Sequence, residues 1–127
     1  MLEKLFVAPS KCTPQIDFDP ESRILAVEGS SYPENTFVFY APMMEWVKAY
    51  FGQESEQKTI VNLEIIYFNS SSSKLLFDFF DALEEASSSH DIEINWIFDA
   101  RNEVAMEAGE DFTEDFSHLN INLVEKQ

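Results

Sequence analysis

Cysteine is almost missing from this chain of 127 residues: Cys12 stands alone, so no internal disulfide and no Cys-rich metal site can form. Cys12 reads as a lightly buried or bystander thiol and not a nucleophile. Histidine occurs twice, both times among polar residues with no nucleophile spaced to use it. Glycine occurs three times and never in a phosphate-cradling run. No apolar run approaches the roughly 20 residues that span a bilayer. The start, Met1-Leu2-Glu3-Lys4-Leu5-Phe6, has an early acid and no cleavable signal pattern, so the expected location is the cytoplasm. Positive charge is scarce too: eight basic residues face 24 acidic ones, a net charge of −16. That surface repels phosphate backbones, which argues against nucleic acid and anionic membrane as partners. Most of the acidity reads as a solvated shell; recognition by a basic partner is the alternative.

What is present suits one compact domain over residues 1–127. Hydrophobic residues make up 45%, and 12 phenylalanines supply large core side chains. The most apolar run, Thr59-Ile60-Val61-Asn62-Leu63-Glu64-Ile65-Ile66-Tyr67-Phe68, is β-branched and aromatic and reads as a buried strand. After it, Leu75, Leu76, Phe79, Phe80 and Leu83 recur on one helical face, with Lys74 and Asp78 on the wet side. Between them lies Asn69-Ser70-Ser71-Ser72-Ser73, with Asn69 or Ser70 as the natural N-cap.

The rest of the chain falls into order around that turn. Gln15–Phe18 and Arg23–Glu28 read as a hairpin joined at Asp19-Pro20-Glu21-Ser22, with Pro14 suited to the start of an edge strand. Gly29–Asn35 reads as a loop, with Pro33 and Asn35 marking a helix entrance. Phe39, Tyr40, Met43, Trp46, Val47 and Tyr50 follow at helical spacing from Thr36 to about Phe51; Pro42 predicts a break near Ala41 or a kink. Ile92–Phe98 is a further strand. Glu103–Asp115 is a third helix that Gly109 weakens or divides, its acids forming a solvated face without calcium-loop spacing. Asn120–Val124 alternates as a last strand. Strands alternating with helices predict an α/β fold: a mixed, mostly parallel sheet with an N-terminal hairpin at its edge and helices packed on it.

Four consecutive serines admit two readings. One is a capped polar turn. The other is a phosphorylation switch, because free amides and the positive end of the helix dipole favour an added phosphate there. Ser87-Ser88-Ser89, at the other end of the same helix, lie where the dipole opposes a phosphate. His90, beside them, suits the negative helix end.

The run Asn69-Ser70-Ser71-Ser72-Ser73-Lys74 after a buried strand resembles the signature of the SiaC-type regulatory phosphoproteins. Gly29-Ser30-Ser31-Tyr32-Pro33-Glu34-Asn35 fits the same family, as does Glu107-Ala108-Gly109-Glu110-Asp111-Phe112 with Asn95-Trp96 upstream. The resemblance implies a fold similar to the STAS domains of anti-sigma-factor antagonists, although their Asp-Ser-Ser/Thr-Gly turn is not present. It implies a phosphoacceptor in the serine turn, Ser70, where family members usually carry Thr, flanked by Asn69, Ser71, Ser72, Ser73 and Lys74. It further implies a dedicated serine/threonine kinase, a phosphatase, and a diguanylate cyclase as a possible target. Tyr32, Glu34 and Asn35, with Glu110 and Asp111, are the candidate partner contacts; Tyr32 and Glu34 can equally serve only to fix their loop. No cofactor, metal or catalytic residue is expected. The competing readings are an enzyme, for which no nucleophile–base set is visible, and a constitutive STAS-like binding domain in which the serine turn is only a helix cap.

Overall fold

The computed structural model describes residues 2–126. Nine elements follow in order: β1 (Leu5–Val7), β2 (Gln15–Asp19), β3 (Ile24–Ser31), α1 (Thr36–Phe51), β4 (Thr59–Phe68), α2 (Ser70–Ala86), β5 (Ile92–Asp99), α3 (Glu103–Asp115) and β6 (Asn120–Lys126). They form a single α/β domain around one six-stranded sheet whose spatial order is the chain order, β1 through β6. β1, β2 and β3 pair antiparallel, and β3 through β6 pair parallel.

A sheet that always advances in one direction, joined by crossovers of one hand, places its helices on one face. The burial pattern agrees. Strands β2, β4 and β5 alternate between buried and half-buried residues. Their buried side, with Ile16, Phe18, Val61, Leu63, Ile65, Ile94 and Trp96, meets Phe79, Phe80 and Leu83 of α2 in one core. Each such side chain contributes about 1.5–3 kcal/mol by leaving water. The other face is open and largely polar, carrying Asp17, Glu28, Glu64 and Glu93. Across it Ala26, Asn62, Asn95 and Asn122 stand in one row.

All three helices begin with an asparagine cap at the same end of the sheet, where the parallel strands finish. Asn35 accepts from the Val38 amide, Asn69 from the Ser72 amide and Asn102 from the Ala105 amide. Gly109, expected to weaken α3, lies inside an undivided helix. A Cβ there would stand 2.5 Å from Trp96 Cδ1 and 2.8 Å from Leu123 Cδ2, so the missing side chain lets α3 close onto the sheet. Trp96, fully buried, returns its indole N–H to the Ala105 carbonyl at 2.8 Å.

Three expectations need correction. The hairpin is not the sheet edge: β1, too short to show alternation, pairs outside β2, so Pro14 precedes an interior strand. The presumed loop at Gly29–Asn35 begins later, because β3 continues to Ser31 across a register shift at Gly29/Ser30. Gly29 sits at φ +131° with Pro14 Cα 3.1 Å from where a Cβ would be, so only glycine fits. Pro42 does not break α1, which runs from Thr36 to Phe51. The Val38 carbonyl, which loses its Pro42 donor, belongs to a strongly exposed residue where solvent can replace the bond.

Candidate functional site: the serine turn

The register shift in β3 and the cap of α2 together build the serine turn. By carrying β3 on to Ser31, the bulge lets the Ser31 carbonyl accept the Asn69 amide at 3.1 Å. Asn69 then caps α2 with its side-chain oxygen, 2.9 Å from the Ser72 amide. Ser70 is therefore the first helical residue and not the cap. The amides of the first turn have no intrahelical acceptor, which is the general condition of a helix start.

The four serines, alike in composition, occupy four different environments. Ser72 is fully buried; its hydroxyl lies 2.8 Å from the Ser31 hydroxyl, which lies 2.6 Å from the Tyr40 phenol. Burial pushes the Tyr40 phenol above its usual pKa, while the bond to Ser31 pulls the other way. Ser71 is exposed but tied: its hydroxyl meets Thr36 at 2.8 Å and donates to Asn69 at 3.2 Å. Ser73 is half-buried and lines a groove of about 380 Å³ with Phe68, Phe77, Val104 and Asp111. Ser70 is exposed and makes no side-chain hydrogen bond among the described residues. Lys74 is four residues on, the spacing that brings two side chains together on a helix surface. Its ammonium sits 5.9 Å from the Phe37 ring centroid.

Apolar side chains surround the turn without being buried. Phe37 and Val38 at the start of α1, Ile66 and Tyr67 at the end of β4, and Val104 at the start of α3 are all more than half exposed. Tyr32, less exposed, sets its ring edge-on to Tyr67 with centroids 5.7 Å apart. These side chains lie at the end of the domain that carries the serine turn, and contiguous exposed apolar side chains are a common feature of interaction surfaces.

Of the candidate contacts, Tyr32 joins this rim, and Asp111 reaches it through the groove shared with Ser73. Asn35 is a helix cap; its side-chain oxygen is engaged by Val38 N–H at 3.1 Å. Glu34 and Glu110 are exposed, and Glu110 does not line the groove. Reading the sequence missed Phe37, Val38, Ile66 and Val104. The available signal was that Phe37 and Val38 fall off the apolar stripe of α1. A second groove, about 630 Å³ between Met44, Val47 and Phe51 of α1 and Ala82 and Ala86 of α2, lies toward the far ends of those helices. It takes no part in the serine turn. The late serines bond back to the carbonyls of their own helix end, and His90 does likewise through Ala86 O at 3.2 Å.

The model of the SiaC family regulatory phosphoproteins matches residues 7–126. An uncharacterized protein of Pseudomonas aeruginosa (strain UCBPP-PA14) is 32% identical over 117 residues, covering 91% of this chain and 92% of that one. Among solved structures, the fold is similar to a chain in the crystal structure of the diguanylate cyclase SiaD in complex with its activator SiaC from P. aeruginosa. The TM-score is 0.89, with 30% identity and coverage of 96% and 99% of the two chains. It is also similar to apo-SiaC of that organism, with TM-score 0.84, 26% identity and coverage of 95% and 98%.

Proposed function

This chain belongs to the SiaC family of regulatory phosphoproteins, and from that premise we propose that it is a binding switch whose phosphoacceptor is Ser70. A cognate serine/threonine kinase sets the phosphate and a phosphatase removes it. The unmodified form docks a diguanylate cyclase through the apolar rim around the serine turn. The choice of target rests on likeness to SiaC, which its structure describes as the activator of SiaD. One observation carries the choice of Ser70: of the four serines it alone is both exposed and free of a side-chain hydrogen bond. Asn69 already caps the helix, so the Ser70 hydroxyl has no structural task, which disfavours the reading of the run as a cap alone.

Chemistry follows from position. A phosphate on Ser70 adds about 1.5–2 negative charges and three acceptor oxygens beside free helix amides and within reach of Lys74, so the domain tolerates it. The docking surface does not. A dianion among Tyr67, Phe37 and Val38 must be desolvated when a partner covers them, and an unpaired buried charge is expensive. The hydroxyl chain Ser72–Ser31–Tyr40 and the Ser71–Thr36 bond hold the turn in place meanwhile, so switching needs no change of fold.

The test combines fragment mass spectrometry after incubation with the cognate kinase and a pull-down of the diguanylate cyclase before and after modification. Phosphate on Ser70 and loss of binding is the expected result. Phosphate confined to Ser87–Ser89, or binding indifferent to modification, defeats the reading.

A further inference from the structure

The two edges of the sheet are protected unequally. β1 is three residues long, Pro9 follows two residues beyond it, and the preceding Glu3 carbonyl is taken by the Trp46 indole at 2.7 Å. β6 spans seven residues, pairs on one side only, and is exposed along nearly its whole length. It contains no proline, and no charge falls between Leu119 and Val124 in a chain of net charge −16. Natural sheets blunt such edges with charge, proline or brevity, because unpaired backbone groups template another strand.

A second feature points outward across the sheet to the same strand. Asn62, Asn95 and Asn122 form a directional ladder on the open face: Asn95 Nδ2 donates to Asn62 at 2.9 Å and Asn122 Nδ2 to Asn95 at 3.1 Å. At the edge the amide oxygen of Asn122 has no partner among the described residues.

We infer that the outer edge of β6 is a self-pairing surface, through which two copies of this chain join antiparallel about a two-fold axis near Asn122. In that register Asn122 faces Asn122 of the second copy, whose amide can satisfy the open oxygen and extend the ladder. Ile121 meets Leu123 of the second copy, and Asn120 meets its Val124, the cross-strand pairs that stabilise antiparallel sheets. Charges do not collide. Each Glu125 lies opposite Leu119, which leaves the two carboxylates about 20 Å apart at the strand rise of antiparallel sheet. Such a contact is isologous and closes on itself. A strand of about 23 Å buries little beyond its own edge, near the lower limit of about 1,000 Å² for specific interfaces, so the dimer is weak. Its main opponent is long-range repulsion, whose reach falls from about 30 Å at 0.01 M salt to about 8 Å at 0.15 M. Association therefore strengthens with salt.

Sedimentation velocity on the full chain tests this independently of the switch. The mass should move from 14.7 kDa toward twice that value as protein is raised to about 500 µM, and at lower protein when salt is raised from about 0.01 M to 0.15 M. Two variants of equal charge then separate local from distant effects. Asn122→Lys with Val124→Lys alters the edge; Gln53→Lys with Gln57→Lys alters an exposed loop. Both reduce the net charge by two, so repulsion alone predicts tighter association for both. The inference expects at least tenfold weaker association for the edge pair and equal or tighter association for the loop pair. Should the edge pair fail to fold by circular dichroism, Asn122→Ala, which ends the ladder and keeps the strand, should weaken the dimer several-fold. A chain monomeric throughout, two variants that associate alike, or β6 amides protected from exchange only when a diguanylate cyclase is added would each overturn it.

Discussion

Replacing the serines of the turn one at a time by alanine should separate stability from modification. The Ser72 hydroxyl is fully buried and lies 2.8 Å from Ser31, so Ser72→Ala removes one buried hydrogen bond and strips Ser31 of one of its two partners. A net bond is worth roughly 1 kcal/mol and an orphaned polar group adds to that; because Ser31 keeps Tyr40, the loss should be about 1–2 kcal/mol. Unfolding entropy of about 2.1 cal/mol/K per residue, over 127 residues, converts this into a Tm lowered by about 4–7 °C. Ser70→Ala changes an exposed, unbonded hydroxyl and should stay within about 0.5 kcal/mol, or about 2 °C. Thermal melts followed by circular dichroism read the first property; intact mass after kinase treatment reads the second. Ser72→Ala should melt early and still take phosphate, while Ser70→Ala should melt normally and take none. Equal Tm losses for the two variants, or a neutral Ser72→Ala, would refute the assignment of environments.

Three further outcomes are expected. Gly109→Ala should lower stability by about 1–3 kcal/mol, because Trp96 and Leu123 must move, even though alanine is the better helix former by about 1 kcal/mol; chemical denaturation with tryptophan fluorescence measures it. Since burial raises the Tyr40 pKa in the folded state, its contribution is complete below the unfolded value near 10 and is lost as pH rises through the folded one. Tyr40→Phe should thus flatten the alkaline limb of a stability–pH curve and leave its shape below about pH 9 unchanged. Ser70→Glu should weaken diguanylate cyclase binding more than Gln53→Glu at the far end of α1; equal losses in calorimetry that vanish together with salt would mean that long-range repulsion suffices.

Where local pattern decided the structure, the sequence was legible. The apolar stripe of α2 is buried as spaced, both strands flanking it are where their composition placed them, and the α/β arrangement with an antiparallel N-terminal part follows from element order. What escaped depended on contacts distant in sequence. β1 has three residues and carries no period, so only its pairing with Leu5 opposite Phe18 reveals it. β3 beyond Gly29 reads as loop because the bulge breaks alternation there, yet that bulge delivers Ser31 to Ser72. Pro42 and Gly109 are local penalties offset by their surroundings: solvent at Val38 in one case, the indole of Trp96 in the other. The separate fates of four identical serines were invisible for the same reason, since Thr36 and Ser31, 35 and 41 residues away from their partners, decide them, with Tyr40 behind Ser31.

On the proposed reading, the placement of the turn also makes a phosphate compatible with so acidic a chain. Repulsion from 24 carboxylates would oppose a new dianion almost anywhere on this surface. At the C-terminal end of the parallel strands three helix starts converge, each capped by an asparagine that satisfies one amide and leaves others free. Their dipoles present positive ends there, and Lys74 adds a full charge on the exposed side of α2. Capping by a neutral amide, and not by aspartate, keeps that end from being neutralised in advance. An aspartate at position 69 would bond the Ser72 amide equally well. It would also set a carboxylate beside the Ser70 hydroxyl and raise the cost of phosphorylating it. Asn69→Asp should accordingly preserve Tm and slow modification of Ser70, a split between stability and phosphorylation rate that a purely structural role for Asn69 does not produce.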